Sequence, residues 1–425
     1  MRILFAVNPE KSTFLYQAPL AWALRTAGHE VRLASTPAFA DTITQAGLTA
    51  VPVGRQINTD RLLVAQGVTD EIIEQYRAGL PPPYNVVEDP DNTSWEDLLD
   101  GCAGTVETFK FEGFSMLAGL VAYARQWEPD LIIWNPLTPA GPIAAKACGA
   151  AHARTLFGVD VFALTRQHFL RLKAEQPAEE QLDPVADWLG EYAQKFGGEF
   201  SEDMVTGQFT LDQFPASLQL EADDLNYVRM QYIAYGGPAV VPKWLQTPPQ
   251  RPRVALTLGS TATECYEGYT VPLSEILSAL SDLDIELVAT VAEAEQHKLG
   301  TLPDNVRLVP YVPWHAIVPT CSAIIHHAGA ATMGTTIRHP VPQLALHYHF
   351  DQPILGHLLE EQGAGLQIHT SEATGENVRE SVRRLLTEPR FAERAAALCD
   401  ELHALPTPNE VVPTIEELTT KHRAR

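Results

Sequence analysis

The stretch "AIIHHAGAATMGTTIRHPVPQLALHYHFDQP", residues 323–353, decides how the carboxyl half of the chain is built. An apolar β-branched run ends in His326-His327, a group of very small residues follows, and "PQLAL" opens a second apolar run. Strand, tight turn, helix and strand in that order give a right-handed crossover and a parallel sheet. Strand alternation turns one histidine inward and the other toward a ligand, and His327, beside the small residues, is the ligand-side one. Small side chains let backbone N–H groups approach an anion, and a helix starting there adds the positive end of its dipole. His327, Ala328, Gly329, Ala331 and Thr332 therefore read as a phosphate site at a strand end. Asp351 follows His327 by 24 residues, the length of one helix and one strand, which returns it to the same edge. A carboxylate and an amide side by side, Asp351-Gln352, suit sugar hydroxyls. An N-cap before Pro353 is the plain alternative for Asp351.

The same alternation extends outward in both directions. "RVALTLGS" (253–260), "IELVATV" (285–291), "NVRLVPYV" (305–312) and "AGLQI" (364–368) are strands feeding helices at 271–282, 331–338 and 353–362. At the other end "RILFAV", "HEVRLAST" and "LTAVPVG" alternate with helices stopped by Gly28 and Gly47. "PDLIIWN" (129–135) and "HARTLFG" (152–158) resume that sheet after a helical insert at about 57–127, and 164–198 is helical again. The Pro- and Gly-dense "GGPAVVPKWLQTPPQRPR" separates the two halves. The expected organisation is an N-terminal domain at 1–235, a linker at 236–252, a C-terminal domain at 253–405, and a last helix at 406–425 returning to the first domain. The fold class is α/β, two facing doubly wound, Rossmann-like domains with a cleft between them.

Composition narrows the function. The 425 residues exceed one ordinary core. Thirty basic against 53 acidic residues give a net charge of −23, which repels nucleic acid and anionic lipid, so an anionic ligand needs local donors. Five scattered cysteines without CxxC spacing read as reduced thiols, and "MRILFAVNPEK" reads as a first strand rather than a signal peptide. No apolar run approaches the roughly 20 residues of a membrane span, so a cytoplasmic protein is expected. Neither GxGxxG nor a Walker lysine occurs at the phosphate loop, which argues against a dehydrogenase or an ATPase. No metal or cofactor is expected. "LTLGST" supplies Gly259, Ser260 and Thr261 as a second phosphate-side loop, and "VPYVPWHAIVPT" offers Trp314 beside the backbone of Val312 for a nucleotide base. Plain packing is the alternative for Trp314.

Together with "APLAWALRTAGHEVR" (18–32), "AGLTAVPVG" (46–54), "PDLIIWNPLT" (129–138) and "WEDLL" (95–99), these motifs resemble the inverting GT-B glycosyltransferases that attach deoxysugars in actinomycete antibiotic pathways. The likeness is greatest to the macrolide and anthracycline subgroup, such as the erythromycin desosaminyl and aclacinomycin rhodosaminyl transferases. It implies a dTDP-deoxyhexose donor, a polyketide aglycone or its glycoside as acceptor, and a cytochrome-like auxiliary protein on the N-terminal helices; a homodimer is also expected. Two departures stand out. The family's HHGGxGT has Ala328 and Ala331 in place of two glycines here, and Met333 stands where a Trp is common. The histidine that relatives place after the first strand is Thr13, and the acid they place around "IWxP" is Asn135.

Inverting transfer needs a group to take the acceptor proton. Asp160 in "FGVDVF" is the first candidate and Glu10 the second, with an N-cap as the alternative for Asp160. His29 and His152 read as structural and His168 as a weaker candidate. Other readings stay open: a phenol or electron-rich ring carbon as acceptor, a catalytically impaired donor-binding scaffold, or a nucleotide-sugar epimerase using His347 and His349 beside Asp351.

Overall fold

The computed structural model describes residues 1–55, 74, 77–112, 114–264, 266 and 268–423; the start of the expected insert, 57–73, and Cys265 lie outside them. Two units result. The first comprises Met1–Gln213, Leu220–Gln231 and Pro406–Arg425, the second Phe214–Gln219 and Tyr232–Leu405. The chain thus leaves the first unit before residue 235, and the Pro-rich 236–252 segment belongs to the second unit rather than standing between them.

Each unit is one parallel sheet. The first holds β1 (Arg2–Ala6), β2 (Glu30–Ser35), β3 (Ala50–Pro52), β4 (Leu131–Trp134), β5 (Ala151–Thr155), β6 (Thr210–Asp212) and β7 (Tyr227–Arg229), ordered β3-β2-β1-β4-β5-β6-β7. The second holds β8 (Arg253–Thr257), β9 (Glu286–Thr290), β10 (Val306–Val309), β11 (Ala323–His326), β12 (Gln343–His347) and β13 (Gly365–His369), ordered β10-β9-β8-β11-β12-β13. Strands β6 and β7 have three residues each, too short for a sequence pattern to reveal. In both sheets the winding reverses once, between β1 and β4 and between β8 and β11. Loops at the carboxyl ends of those two pairs splay apart and leave a crevice, the usual ligand position in such sheets.

The central strands β1, β4, β8 and β11 are largely apolar because helices cover both faces. In the first unit Leu4, Ile132 and Trp134 pack with Leu117, Leu120 and Val121 of helix Phe114–Trp127 and Ile143 of helix Ala140–Cys148. Gly141 is obligatory in the latter, since a Cβ there would stand 2.4 Å from the Trp134 side chain. In the second unit Val254, Leu256, Ile325 and Leu344 pack with Ile276 of helix Leu273–Ala279 and Val382 of helix Gly375–Thr387. Each fully buried Leu or Ile contributes about 1.5–3 kcal/mol relative to exposure. Helix 164–198 of the sequence reading is two helices, Val161–Ala174 and Pro184–Lys195, because Asp183 caps the second before Pro184. The last helix, Val412–His422, lies within the first unit, where Glu416 pairs with His29 at 3.0 Å and Arg423 with Asp130.

One ion pair anchors the first sheet. Arg154 and Asp160, both fully buried, meet through two bonds of 2.9 and 2.5 Å, while Thr210 also accepts from the guanidinium and the Tyr227 hydroxyl donates to Asp160 at 2.7 Å. Asp160 also caps the 161–174 helix by accepting from the Ala163 N–H. Removing one charge of such a pair strands the other in a dry interior. Asp160→Asn is expected to lower stability by about 3–5 kcal/mol, read as a fall in denaturation midpoint; an unchanged midpoint refutes the anchoring role.

Candidate functional site

At the carboxyl ends of β8 and β11 the loop carrying Gly259 touches the loop carrying His327. A Cβ on Gly259 would lie 2.8 Å from the His327 ring, and one on Gly329 would lie 2.2 Å from its Nε2. The imidazole is therefore clasped between two glycines, one from each loop. Gly259 adopts φ +72, a left-handed turn that side chains resist. Ser260 and Thr261 follow, Thr261 opening a one-turn helix ending at Glu264.

The neighbouring His326 is fully buried and points the other way. Its Nδ1 accepts the Ala328 N–H at 2.9 Å and its Nε2 faces Gln343 Oε1 at 2.8 Å. A backbone N–H can only donate, so the proton sits on Nε2 and the ring is neutral. That bond pulls Ala328 into φ +61, where β-carbons clash. The helix Ala330–Thr336 then begins after Gly329, with Ala331 and Thr332 in its first turn. It starts one residue earlier than the sequence reading and is only seven residues long, so its first N–H groups rather than a long dipole face the loop.

Burial pushes His326 down to about 4 and His327 down to about 3, the latter helped by His326 and opposed by the nearby Thr257 backbone. Both are neutral at physiological pH. Nδ1 of His327 is buried and has no partner among the described residues.

Asp351 is buried at the start of helix Gln352–Gln362, but its side chain makes no cap bond, which removes the N-cap alternative. Gln352 holds the loop: its Oε1 accepts from the backbone of Tyr348 at 3.2 Å and His349 at 3.1 Å. Its amide nitrogen is the end left for a ligand, so the expected pair of donor and acceptor is reduced to donors. Phe350, at φ +50, is strained immediately before Asp351. Trp314 does not offer a free indole: its N–H donates to Thr336 Oγ1 at 3.2 Å and its ring packs with buried Val312 and Ile317. Trp314 is partly buried against that cluster, whereas Met333 is fully buried core.

The first unit treats its nominated residues differently. Asp160, the first choice as base, is wrong for that role. Bound to Arg154, Tyr227 and the Ala163 N–H and with no exposure, it cannot accept a substrate proton. Asn135 ends β4 with its Oδ1 accepting from Leu137 N–H at 3.0 Å and the Thr138 hydroxyl at 2.9 Å, so it is a neutral turn residue. Thr13 is buried and its hydroxyl donates to the Glu10 carbonyl. Glu10 caps the first helix, Lys11–Thr26, from the loop after β1. His152 accepts the Trp134 indole N–H on Nδ1 at 3.2 Å and faces Asp203, a structural position. A cavity of about 700 Å³, missed by sequence reading, is lined by Tyr84, Phe109 and Leu137, the last in the loop after β4, with Asp89, Asp97 and Asp100 among its wall. It draws on segments as far apart as Pro81 and Leu137, so no local signal marks it.

Known proteins match this arrangement along the whole chain. The sequence family described as erythromycin biosynthesis protein CIII-like matches in two parts, its N-terminal domain over residues 22–259 and its C-terminal domain over residues 274–418. The chain belongs to that family. A 10-deoxymethynolide desosaminyltransferase of Streptomyces venezuelae is 42% identical over 433 residues, covering 100% of this chain and 98% of the relative. An aklavinone 7-beta-L-rhodosaminyltransferase of Streptomyces galilaeus is 42% identical over 444 residues, covering 100% and 97%. The crystal structure of glycosyltransferase VinC in complex with dTDP superposes with a TM-score of 0.87 at 38% identity over 99% of this chain and 100% of that one. The spinosyn forosaminyltransferase SpnP gives 0.81 at 36% identity over 99% of each. The protein is thus a glycosyltransferase with the GT-B architecture of two Rossmann-like units. No described helix is long and apolar enough to cross a membrane, and no described group of three or more His, Cys, Asp or Glu could hold a metal.

Two outcomes follow from the loop geometry. Ala328→Gly relieves the left-handed strain and is expected to stabilise by about 0.5–1 kcal/mol, the clash outweighing the entropy of a new glycine; a lower unfolding midpoint contradicts this. Because His326 and His327 are depressed in the folded state, the unfolded chain protonates first as pH falls. Their contribution is whole above about pH 6.5, the free-imidazole value, and fades as the pH drops toward 4. Thermal stability should fall steeply in that window, and a flat profile between pH 7 and 5 refutes the assignment.

Proposed function

We propose that this transferase moves a deoxyhexose from a dTDP-linked donor to a polyketide aglycone or its glycoside, inverting the anomeric carbon. The observation that carries the reading is the His327 ring clasped by Gly259 and Gly329 at the second sheet's reversal point, with buried Asp351 on the next strand's loop. Neutral His327 and the free N–H groups of the 330–336 helix donate to the diphosphate, an anion that the −23 chain could not attract by bulk field. Asp351 and the Gln352 amide take the hexose hydroxyls. The thymidine diphosphate in VinC and the deoxysugar names of the relatives support the donor class.

The cavity of about 700 Å³ in the first unit supports an acceptor there: it reaches Leu137 of the switch-point loop and brings Tyr84 and Phe109, among polar neighbours, to a polycyclic or macrocyclic body. Attack on the anomeric carbon from the face opposite the diphosphate inverts it. The donor groups around His327 stabilise the charge that builds on the departing dTDP. A cytochrome-like auxiliary protein and a homodimer remain part of the proposal through the family resemblance.

Calorimetric titration with dTDP tests the donor half: His327→Ala should weaken binding by tenfold or more, and an unchanged dissociation constant refutes the phosphate assignment. Incubation of the enzyme with a dTDP-deoxysugar alone should return the sugar unchanged, while an epimerised sugar would overturn the transferase reading.

A further inference from the structure

The first sheet reverses between β1 and β4, so its crevice opens between the loops Val7–Glu10 and Asn135–Pro139. Among the residues of these two loops Glu10 is the single one that ionises. Among the described residues of this unit the other proton acceptors lie away from these two loops or are engaged: Asp89 and Asp97 of the cavity wall accept from Asn92 and Ser94, and Asp100 stands on helix Trp95–Glu112. His29 precedes β2 and pairs with Glu416, His152 is the second residue of β5, and His422 packs beside Phe209 just before β6, all at the opposite end of the strands. His168 is seven residues into the 161–174 helix, about 10 Å along it from the sheet edge at 1.5 Å per residue. Asp160 is locked to Arg154, and Asp212 at the end of β6 is fully buried beside Arg229.

We propose that Glu10 is the general base of the transfer; the assignment rests on the glycosyltransferase reading. Its carboxylate is partly exposed and held by three donors: Oε1 accepts the Ser12 N–H at 2.9 Å, and Oε2 accepts the Thr13 N–H and the Ser12 hydroxyl, each at 2.8 Å. These bonds fix the plane of the carboxylate and leave one acceptor direction on Oε1 for an incoming hydroxyl. A base held in one rotamer loses little freedom when it meets its substrate. In the step, the acceptor O–H bond breaks and its proton passes to Glu10 as the oxygen bonds to the anomeric carbon. The bond from that carbon to the diphosphate oxygen breaks together with it, dTDP takes the electron pair, and Glu10 then returns its proton to water.

Glu10 also caps a helix, so the test separates the two roles. Serine is among the best N-caps, and Glu10→Ser keeps the cap while removing the carboxylate. The expected result is at least a hundredfold lower kcat, the lower end of what a positioned base contributes, with the melting temperature and the dTDP dissociation constant unchanged. Adding Thr13→His in the Glu10→Ser background should recover tenfold or more of the lost kcat. It should also introduce an inflection near pH 6.5, the free-imidazole value, that the unaltered enzyme lacks. Turnover of Glu10→Ser within threefold of the unaltered enzyme overturns the assignment. Absence of transfer by the unaltered enzyme across dTDP-deoxysugars and aglycones sinks the transferase reading and this base with it.

Discussion

A parallel sheet wound in both directions has one place where consecutive crossovers go to opposite sides, and no helix can cover the loops that part there. That constraint acts twice in this chain. Between β8 and β11 it exposes Gly259 and His327 to one another; between β1 and β4 it exposes Glu10 and the turn at Asn135. Under the proposed reading the reacting groups stand at those openings, while helices pack over the faces of both sheets.

The two openings are equipped in opposite ways. At the second, local backbone geometry dominates: His326 holds the Ala328 N–H, Ala328 turns left-handed, and Gly329 makes room for the His327 ring. Burial keeps both imidazoles neutral, so the proposed diphosphate contact rests on directed donors rather than on their charge. At the first opening a carboxylate is held by backbone and hydroxyl donors, while Thr13, where the family resemblance implies a histidine, is buried with its hydroxyl spent on the Glu10 carbonyl. The replacement of Gly by Ala328 fits the same picture. It accepts strain at a turn the His326 bond enforces rather than changing the turn itself.

Long-range pairing explains why some candidates moved from function to structure. Asp160 has the composition of a base candidate and the position of one, at the end of β5. Arg154 and Tyr227, six and 67 residues away, turn it into a buried anchor. Trp314 likewise has its indole N–H bound to Thr336, which leaves only the ring face for a nucleotide base.

The sequence by itself determined the two parallel sheets, most strand positions, the glycine–histidine loop and the separation of Asp351 from His327. Those follow from period, chain reach and side-chain size, all of which are local. Tertiary structure alone decided which polar groups are already satisfied, how the three-residue strands β6 and β7 extend the first sheet, and where the chain passes between units. Hydrogen-bond saturation depends on how partners near and far in the chain are brought together, as Tyr227 is to Asp160, and the three residues of β6 and of β7 lack the apolar run that marks most other strands. Gln352 was legible as a polar residue at the right place, but only the turn's backbone geometry shows that its oxygen is used up by the Tyr348 and His349 N–H groups.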